Sequence, residues 1–278
     1  MSADNLPEIG SVVTTEIEGL AIRYARTGAS NGVPILMTAP WPESIYAFHR
    51  VAPRLRAEHP LFLVDLPGFG RSQSRPAVMA PEAMGDFVIT LLARFGIAQT
   101  FAIAPDVGTL AILFAAVKKP DLFISAALGS AAMRPDLAVG TLRNLIHSPI
   151  GAFGGSDGAE SVKSYLTRAA GLTPGPIIED FRAASAGPRF EQAVQFVRGY
   201  ITDLPKLEPQ LSGIAMPVLI IAGRSDPIVP PANGQFLADR LPHNRYQLLD
   251  AEHRAWEEAA EAYTDALCSW FAGGYRTV

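Results

Sequence analysis

The apolar residues of the chain fall into short continuous runs and into longer runs with helical spacing. Two β-prone runs near the start, Ser11–Glu18 and Leu20–Arg26, are separated by Gly19 and predict a hairpin. Further strand patterns, most of them the continuous apolar runs typical of strands buried on both faces, follow at Val33–Thr38, Leu61–Asp65, Phe101–Ala104, Ile124–Leu128, Pro217–Ala222 and Arg245–Asp250. The pattern therefore predicts a sheet of eight strands.

Runs with helical spacing separate these strands. Apolar residues recur every three or four positions at Ile45–Ala57, from Pro81 to Phe95, and at Gly108–Lys118, Ala232–Leu241 and Trp256–Phe271. Strands that alternate with helices through short connections form crossovers, which make neighbouring strands parallel. The sequence therefore predicts an α/β fold in which a mainly parallel sheet carries helices on both faces.

The alternation is interrupted once, between residues 133 and 212. This segment contains glycine and proline breaks and two helical patterns, Ser161–Ala170 and Phe190–Tyr200, but it has no strand pattern. We interpret it as a helical cap inserted after the sixth strand. The predicted domains are then a core formed by residues 1–132 and 213–278, and a cap formed by residues 133–212.

Composition and charge exclude several classes of function. Hydrophobic residues make up 49% of the 278 positions, which is ample for a large core, and the net charge of −4 argues against a nucleic-acid partner. Cys268 is the single cysteine, so neither an internal disulfide nor a thiolate metal site is expected. No signal-peptide pattern and no apolar run of about 18 residues is present, so we expect a cytoplasmic protein without a membrane partner.

Reactive side chains follow three of the predicted strands. Asp106 comes after the strand at Phe101–Ala104 and directly before a helix, with Ala104 and Gly108 two positions away on either side. Asp226 follows the next strand after the cap, and His253 follows the last strand. Ligand sites of such sheets lie at the carboxyl ends of the strands. The order nucleophile, acid, histidine is the chain order of the catalytic triad in α/β-hydrolases, with Asp in the first place.

Each of these residues also fits a purely structural role without any catalysis. Asp106 suits a helix N-cap, Asp226 precedes Pro227 and suits a turn, and His253 suits a cap or an exposed loop. A second match to the G-x-S-x-G pattern, at residues 154–158, lacks a preceding strand and lies in the predicted cap. The agreement of three separate placements favours the catalytic interpretation.

Two further motifs indicate a family. Trp41-Pro42-Glu43 resembles the end of the H-G-W-P-E oxyanion loop of epoxide hydrolases, and residues 65–72 resemble the D-x-x-G-x-G-x-S stretch of the wider superfamily. The chain thus resembles α/β-hydrolases of the epoxide hydrolase and haloalkane dehalogenase branch, which use an Asp nucleophile. The sequence departs from that pattern at Ala39-Pro40, where the branch has His-Gly, and at Pro105, where a His often precedes the nucleophile.

The resemblance implies a mechanism without metal or cofactor. Asp106 would form an ester with the substrate, and water activated by His253, with Asp226 behind it, would hydrolyse that ester. The backbone N–H groups of Trp41 and Val107 would form the oxyanion hole. The family's cap tyrosines, which protonate the epoxide oxygen, correspond best to Tyr200 and less closely to Tyr165.

The resemblance leaves three functions open. The first is hydrolysis of an epoxide to a vicinal diol, on a small apolar or amphipathic substrate, by a monomer or a homodimer. The second is haloalkane or haloacid dehalogenation, although Val107 stands where dehalogenases usually carry a tryptophan and only Trp41 offers an indole N–H. The third is a ligand-binding or weakly active relative, which the departures at Ala39-Pro40 and Pro105 motivate.

Overall fold

Eight strands form one sheet in the computed structural model, which describes residues 6–278. The strands are β1 (Ser11–Ile17), β2 (Leu20–Gly28), β3 (Ile35–Thr38), β4 (Pro60–Val64), β5 (Thr100–Pro105), β6 (Phe123–Gly129), β7 (Val218–Gly223) and β8 (Asn244–Leu249). Their order across the sheet is β1-β2-β4-β3-β5-β6-β7-β8. β2 pairs antiparallel with β1 and β4, and the remaining neighbours are parallel. The predicted mainly parallel sheet of eight strands is confirmed.

Helices cover the sheet and leave its central strands without exposed residues. Every residue of β3, β5 and β7 is buried, as the continuous apolar runs predict. The α-helices are α1 (Ala52–Leu55), α2 (Pro81–Arg94), α3 (Val107–Lys118), α4 (Gly140–Ile146), α5 (Gly158–Ser161), α6 (Lys163–Ala169), α7 (Gly175–Ser185), α8 (Arg189–Arg198), α9 (Tyr200–Leu207), α10 (Ala232–Ala238), α11 (Ala255–Glu258) and α12 (Ala260–Phe271). α3, in the middle of the core, has ten of its residues buried.

Two predicted helices are shorter in the structure. The helix expected at residues 45–57 is a 3₁₀ helix (Ile45–Phe48) followed by the single turn of α1. Pro53 explains the break, because proline lacks an N–H and clashes with the preceding turn unless it stands at the start of a helix. The closing helix is divided into α11 and α12 at Ala259, whose backbone leaves the helical region with φ −123° and ψ 41°.

The segment between β6 and β7 consists of helices, α4 to α9, with short 3₁₀ turns, and it has no strand. Polar contacts attach it to the core. The guanidinium of Arg23 in β2 donates two hydrogen bonds of 2.8 Å to the carboxylate of Asp180 in α7. Arg189 donates to the carbonyls of Gly70 and Ser72 at 2.7 Å. The bounds 133–212 of a separate cap domain stay a prediction.

The motif at residues 65–72 supports this attachment. Asp65, which is fully buried, accepts hydrogen bonds from Arg23 Nε at 2.6 Å and from the N–H groups of Ile45 and Arg71 at 2.8 Å. A Cβ at Gly70, where φ is +49°, would overlap the Asp65 carboxylate, so this position requires glycine. The motif is therefore part of the framework that holds Arg23 against Asp180. None of the helices in the described part of the chain has the length and apolarity needed to span a membrane.

Candidate active site

Asp106 stands at the apex of a sharp turn between β5 and α3. Its backbone adopts φ 55° and ψ −128°, a conformation that is costly for any residue except glycine. The turn leaves no room beside it, because a Cβ at Gly108 would overlap the Thr38 hydroxyl and would crowd Ala104. Strain of this kind at a strand-to-helix turn points the apical side chain out of the sheet. The structure therefore has the geometry of a nucleophile elbow with a carboxylate at its apex.

Hydrogen bonds to the neighbouring strand hold this turn. The N–H of Asp106 donates to the carbonyl of Gly129 at the end of β6, at 2.8 Å. The hydroxyl of Thr109 lies 2.8 Å from the carbonyl of Ala104 and accepts the N–H of Gly129 at 2.9 Å. These bonds satisfy buried backbone groups that the tight turn would otherwise leave unpaired. They stabilise the strained conformation of Asp106.

Backbone N–H groups surround the Asp106 carboxylate. The N–H of Trp41 donates to Oδ2 at 2.7 Å, and the N–H of Val107 also favours the charged form of this group. Burial raises the pKa of the Asp106 carboxyl, and His253 and these two N–H groups oppose that rise without cancelling it. The two backbone donors predicted for an oxyanion hole thus both face the side chain of Asp106.

His253 lies between the two aspartates. Its Nδ1 is 2.7 Å from Asp226 Oδ2, and its Nε2 is 3.9 Å from Asp106 Oδ1. Asp226 is itself fixed, because its Oδ1 accepts the N–H groups of Ile228 and Val229 at 2.8 Å each. When Nδ1 donates its proton to Asp226, the free lone pair is on Nε2, directed toward Asp106. The structure thus brings together the three residues predicted as a triad.

The charges around His253 control its protonation. Burial lowers the pKa of this imidazole, but the hydrogen bond and charge of Asp226, followed by the charge of Asp106, outweigh burial and raise it above the usual value. Any event that neutralises Asp106 removes one of these contributions. We therefore expect Asp106→Asn to lower the pKa of His253, and Asp226→Asn to lower it further. Imidazole NMR titration measures both shifts, and an unchanged or raised pKa in Asp106→Asn would contradict this electrostatic coupling.

The two predicted tyrosines line the same cavity as Asp106 and His253 but differ in their contacts. Tyr200, at the start of α9, is 2% exposed, and no hydrogen bond joins its hydroxyl to another described residue. Burial and the charge of Asp106 raise its pKa well above the usual value, so the hydroxyl keeps its proton. Tyr165, in α6, instead has its hydroxyl hydrogen-bonded to Glu43 Oε1. Of the two tyrosine hydroxyls, that of Tyr200 is the one without a hydrogen-bond partner among the described residues.

Glu43 is a functional candidate that the sequence interpretation quoted within a motif but left without a role. It is fully buried, and its Oε2 accepts the indole N–H of Trp256 at 2.9 Å while Oε1 is hydrogen-bonded to the Tyr165 hydroxyl. Burial and the nearby charge of Glu257 raise the pKa of Glu43 to about 8. A neutral carboxyl at this place joins the core to α6 behind His253.

This buried carboxyl predicts a pH-dependent stability. Glu43 keeps its proton in the folded protein up to about pH 8, whereas in the unfolded chain it loses the proton near its ordinary pKa of 4.5. The free energy of unfolding should therefore fall as the pH rises from about 4.5 to about 8, by at most about 5 kcal/mol. Glu43→Gln, which mimics the neutral form, should abolish this part of the decrease.

Urea unfolding at several pH values measures the effect. Glu16→Gln, which changes an exposed residue of β1, is the matched control and should follow the wild type. If the free energy of unfolding depended on pH in the same way in the wild type and in Glu43→Gln, the Glu43 carboxyl would be ionised in the folded protein, and the prediction would be wrong.

A cavity of about 390 Å³ lies over the Asp106 carboxylate. Core residues and the helical segment both contribute to it, with Trp41, Asp106 and His253 on one side and Leu142, Phe190 and Tyr200 on the other. Its volume is that of a site for a small organic ligand, and most of its wall is apolar. Among residues 6–278, no group of three or more histidine, cysteine or acidic side chains is placed to hold a metal ion.

Comparison with known proteins identifies the family of the chain. Residues 33–260 match a family model described as the alpha/beta hydrolase fold. The chain belongs to this family. A curated relative from Neisseria meningitidis serogroup B, a pimeloyl-[acyl-carrier protein] methyl ester esterase, is 27% identical over 248 residues, which cover 85% of this chain and 92% of the relative.

Two solved structures superpose along nearly the whole chain. A putative epoxide hydrolase from Pseudomonas aeruginosa has a TM-score of 0.82 at 19% identity and covers 99% of both chains. A loop variant of a haloalkane dehalogenase from Bradyrhizobium elkanii has a TM-score of 0.78 at 20% identity, covering 96% of this chain and 97% of its own. At these identities the likeness establishes the fold, and the reaction has to be argued from the site.

Proposed function

We propose that this hydrolase opens epoxides to vicinal diols through an ester on Asp106. The observation that carries the proposal is the carboxylate at the elbow apex, facing a cavity in which the buried, protonated hydroxyl of Tyr200 has no protein partner. A carboxylate is a nucleophile for a saturated carbon atom, and an epoxide oxygen needs a proton when its C–O bond breaks. The two groups together match this substrate.

In the first step, an Asp106 oxygen attacks one epoxide carbon. The C–O bond of that carbon breaks, its electron pair goes to the epoxide oxygen, and the Tyr200 hydroxyl protonates this oxygen. The product is a hydroxyalkyl ester of Asp106. Formation of the ester neutralises Asp106 and so removes one of the charges that raise the pKa of His253. The lower pKa leaves the imidazole unprotonated, and therefore able to accept a proton, at the point where the reaction needs a base.

In the second step, His253 Nε2 takes a proton from water, and the resulting hydroxide attacks the carbonyl carbon of the ester. The negative charge that develops on the carbonyl oxygen is stabilised by the N–H groups of Trp41 and Val107. Donors of this kind contribute about 3–4 kcal/mol each to transition-state stability. Collapse of the intermediate breaks the bond between the carbonyl carbon and the alkoxy oxygen, which takes the proton of the newly added hydroxyl, so that the diol is released and the Asp106 carboxylate is regenerated. The proton held by His253 then returns to the Tyr200 phenolate, which restores both groups for the next turnover. Asp226 keeps the imidazole in the required tautomer throughout.

The similarity to an esterase favours ester hydrolysis as an alternative. Attack of the Asp106 carboxylate on an ester would give a mixed anhydride and expel an alkoxide, which is an unfavourable exchange. No serine occupies the elbow to provide the usual acyl-enzyme. We therefore propose that the site is less suited to ester substrates than to epoxides.

Dehalogenation is the second candidate, because it uses the same ester chemistry and because Trp41 lines the cavity. A halide leaving group needs N–H donors and no proton. Val107 supplies no side-chain donor, so the indole of Trp41 would have to serve almost alone. This arrangement favours the epoxide over the halide.

Turnover of matched substrates tests the proposal. Terminal epoxides, the corresponding bromoalkanes and the corresponding methyl esters are offered to the wild type and to Asp106→Asn, and diol, bromide and acid are measured. We expect diol formation by the wild type that Asp106→Asn abolishes. Bromide release without diol would support the dehalogenase, acid formation that persists in Asp106→Asn would support an esterase, and no product from any class would overturn the enzymatic proposal.

A further inference from the structure

The outer part of the active-site cavity is polar, whereas the walls nearer to Asp106 are mainly apolar. Four exposed polar side chains of the helical segment line this outer part, namely those of Thr141, Ser161, Ser164 and Arg168. Ser164 and Arg168 are one turn apart on α6, so their side chains lie on the same face of that helix. Among the described residues that line the cavity, Arg168 is the only cationic side chain besides His253.

The charge of Arg168 has no partner within the described chain. Lys163, on the same helix, pairs with Glu160 at 3.2 Å, but no ion pair or hydrogen bond is formed by the Arg168 guanidinium. Arg168 also lines an adjoining cavity of about 200 Å³, together with the acids Glu252 and Glu258. Glu258 already accepts the N–H of Glu252 at 2.7 Å and lies 3.5 Å from Arg254.

We infer that Arg168 binds an anionic group of the substrate, and that the substrate class is an amphipathic epoxide with a carboxylate at the end remote from the epoxide. This inference rests on the proposed function for the reactive end. The apolar walls accept the hydrocarbon part, the guanidinium pairs with the carboxylate, and the hydroxyls of Ser161 and Ser164 are hydrogen-bond donors beside it. The Asp106 carboxylate repels a second anion, which orients the substrate with its epoxide inward.

Binding of unreactive probes tests the charge preference without any turnover. Octanoate and octanamide have the same length and differ in charge, and calorimetry on the full chain gives the ratio of their affinities. We expect the wild type to bind octanoate about fivefold more tightly than octanamide, and Arg168→Gln to bind the two with equal affinity. Arg168→Glu should instead bind octylamine more tightly than octanamide. Lys163→Gln, which removes a paired cation from the same helix, should keep the wild-type ratio.

Kinetics with ω-epoxy carboxylates and their primary amides extend the test to the proposed reaction. Arg168→Gln should raise KM for the acid relative to the amide by about fivefold, with kcat little affected. Equal affinities of the wild type for octanoate and octanamide, or a preference that survives in Arg168→Gln and disappears in His253→Ala, would overturn the inference. Preference for octanoate in a protein that turns over no epoxide would instead leave this site in place and refute the proposed function.

Discussion

The His253→Ala variant should open an epoxide once and then stop with Asp106 esterified. The carboxylate needs no base to attack the epoxide, whereas hydrolysis of the ester requires a proton acceptor beside the attacking water. Steady-state turnover should therefore fall by about a hundredfold to ten-thousandfold, while an adduct with the mass of the substrate accumulates on the protein. Intact-protein mass spectrometry and peptide mapping to Asp106 measure this adduct.

Two conditions make the His253→Ala experiment decisive. His253 helps to keep the Asp106 carboxyl ionised, so the variant should be assayed over a pH series that extends into the mildly alkaline range, because a higher pH favours the charged carboxyl. Asp226→Asn should act in the same direction and more weakly, because it leaves an imidazole in an unfavourable tautomer. Diol production by His253→Ala at the wild-type rate, with no adduct, would contradict the assignment of the base.

The Tyr200→Phe variant should be slow in the first step of the reaction, the formation of the ester. The substitution keeps the ring, which packs edge-on against Phe196 at 5.8 Å, and removes the proton that the epoxide oxygen needs. Formation of the ester should slow by about a hundredfold or more, and no adduct should accumulate, because hydrolysis of the ester does not use this hydroxyl. Single-turnover mixing experiments measure the two steps separately.

Tyr165→Phe is the matched control for Tyr200→Phe, because it removes a hydroxyl from the same cavity that is engaged by Glu43. We expect it to slow ester formation much less. Equal losses in both tyrosine variants would contradict the assignment of Tyr200 as the main proton donor.

The sequence was sufficient to predict the sheet and the meeting point of the three candidate triad residues. Continuous apolar runs predict buried strands because a strand covered on both faces has no polar side. The carboxyl ends of parallel strands lie at one edge of the sheet. Residues that directly follow β5, β7 and β8 are therefore brought to the same edge, independently of the conformation of the longer connections. The distance from Asp226 to His253 is therefore set by the sheet, although 27 residues separate them.

Contacts between the core and the helical segment could not be predicted in this way. Tyr165 and Glu43 are 122 residues apart, and Arg23 and Asp180 are 157 apart, and no periodic pattern fixes how α6 and α7 lie on the core. The sequence therefore could not distinguish the engaged hydroxyl of Tyr165 from the free hydroxyl of Tyr200. By contrast, the break at Pro53 could have been predicted, because a proline inside a helix removes a hydrogen bond and clashes with the preceding turn, so that the helix is kinked or broken.

A single turnover in water enriched in the heavy isotope of oxygen tests the central claim most directly. With enzyme in excess over epoxide, the oxygen added to the substrate comes from Asp106, and the water oxygen enters the carboxylate when the ester is hydrolysed. The account predicts unlabelled diol and heavy oxygen in the peptide that contains Asp106. Heavy oxygen in the diol of the first turnover, with none in Asp106, would mean that water attacks the epoxide directly and would contradict the ester mechanism.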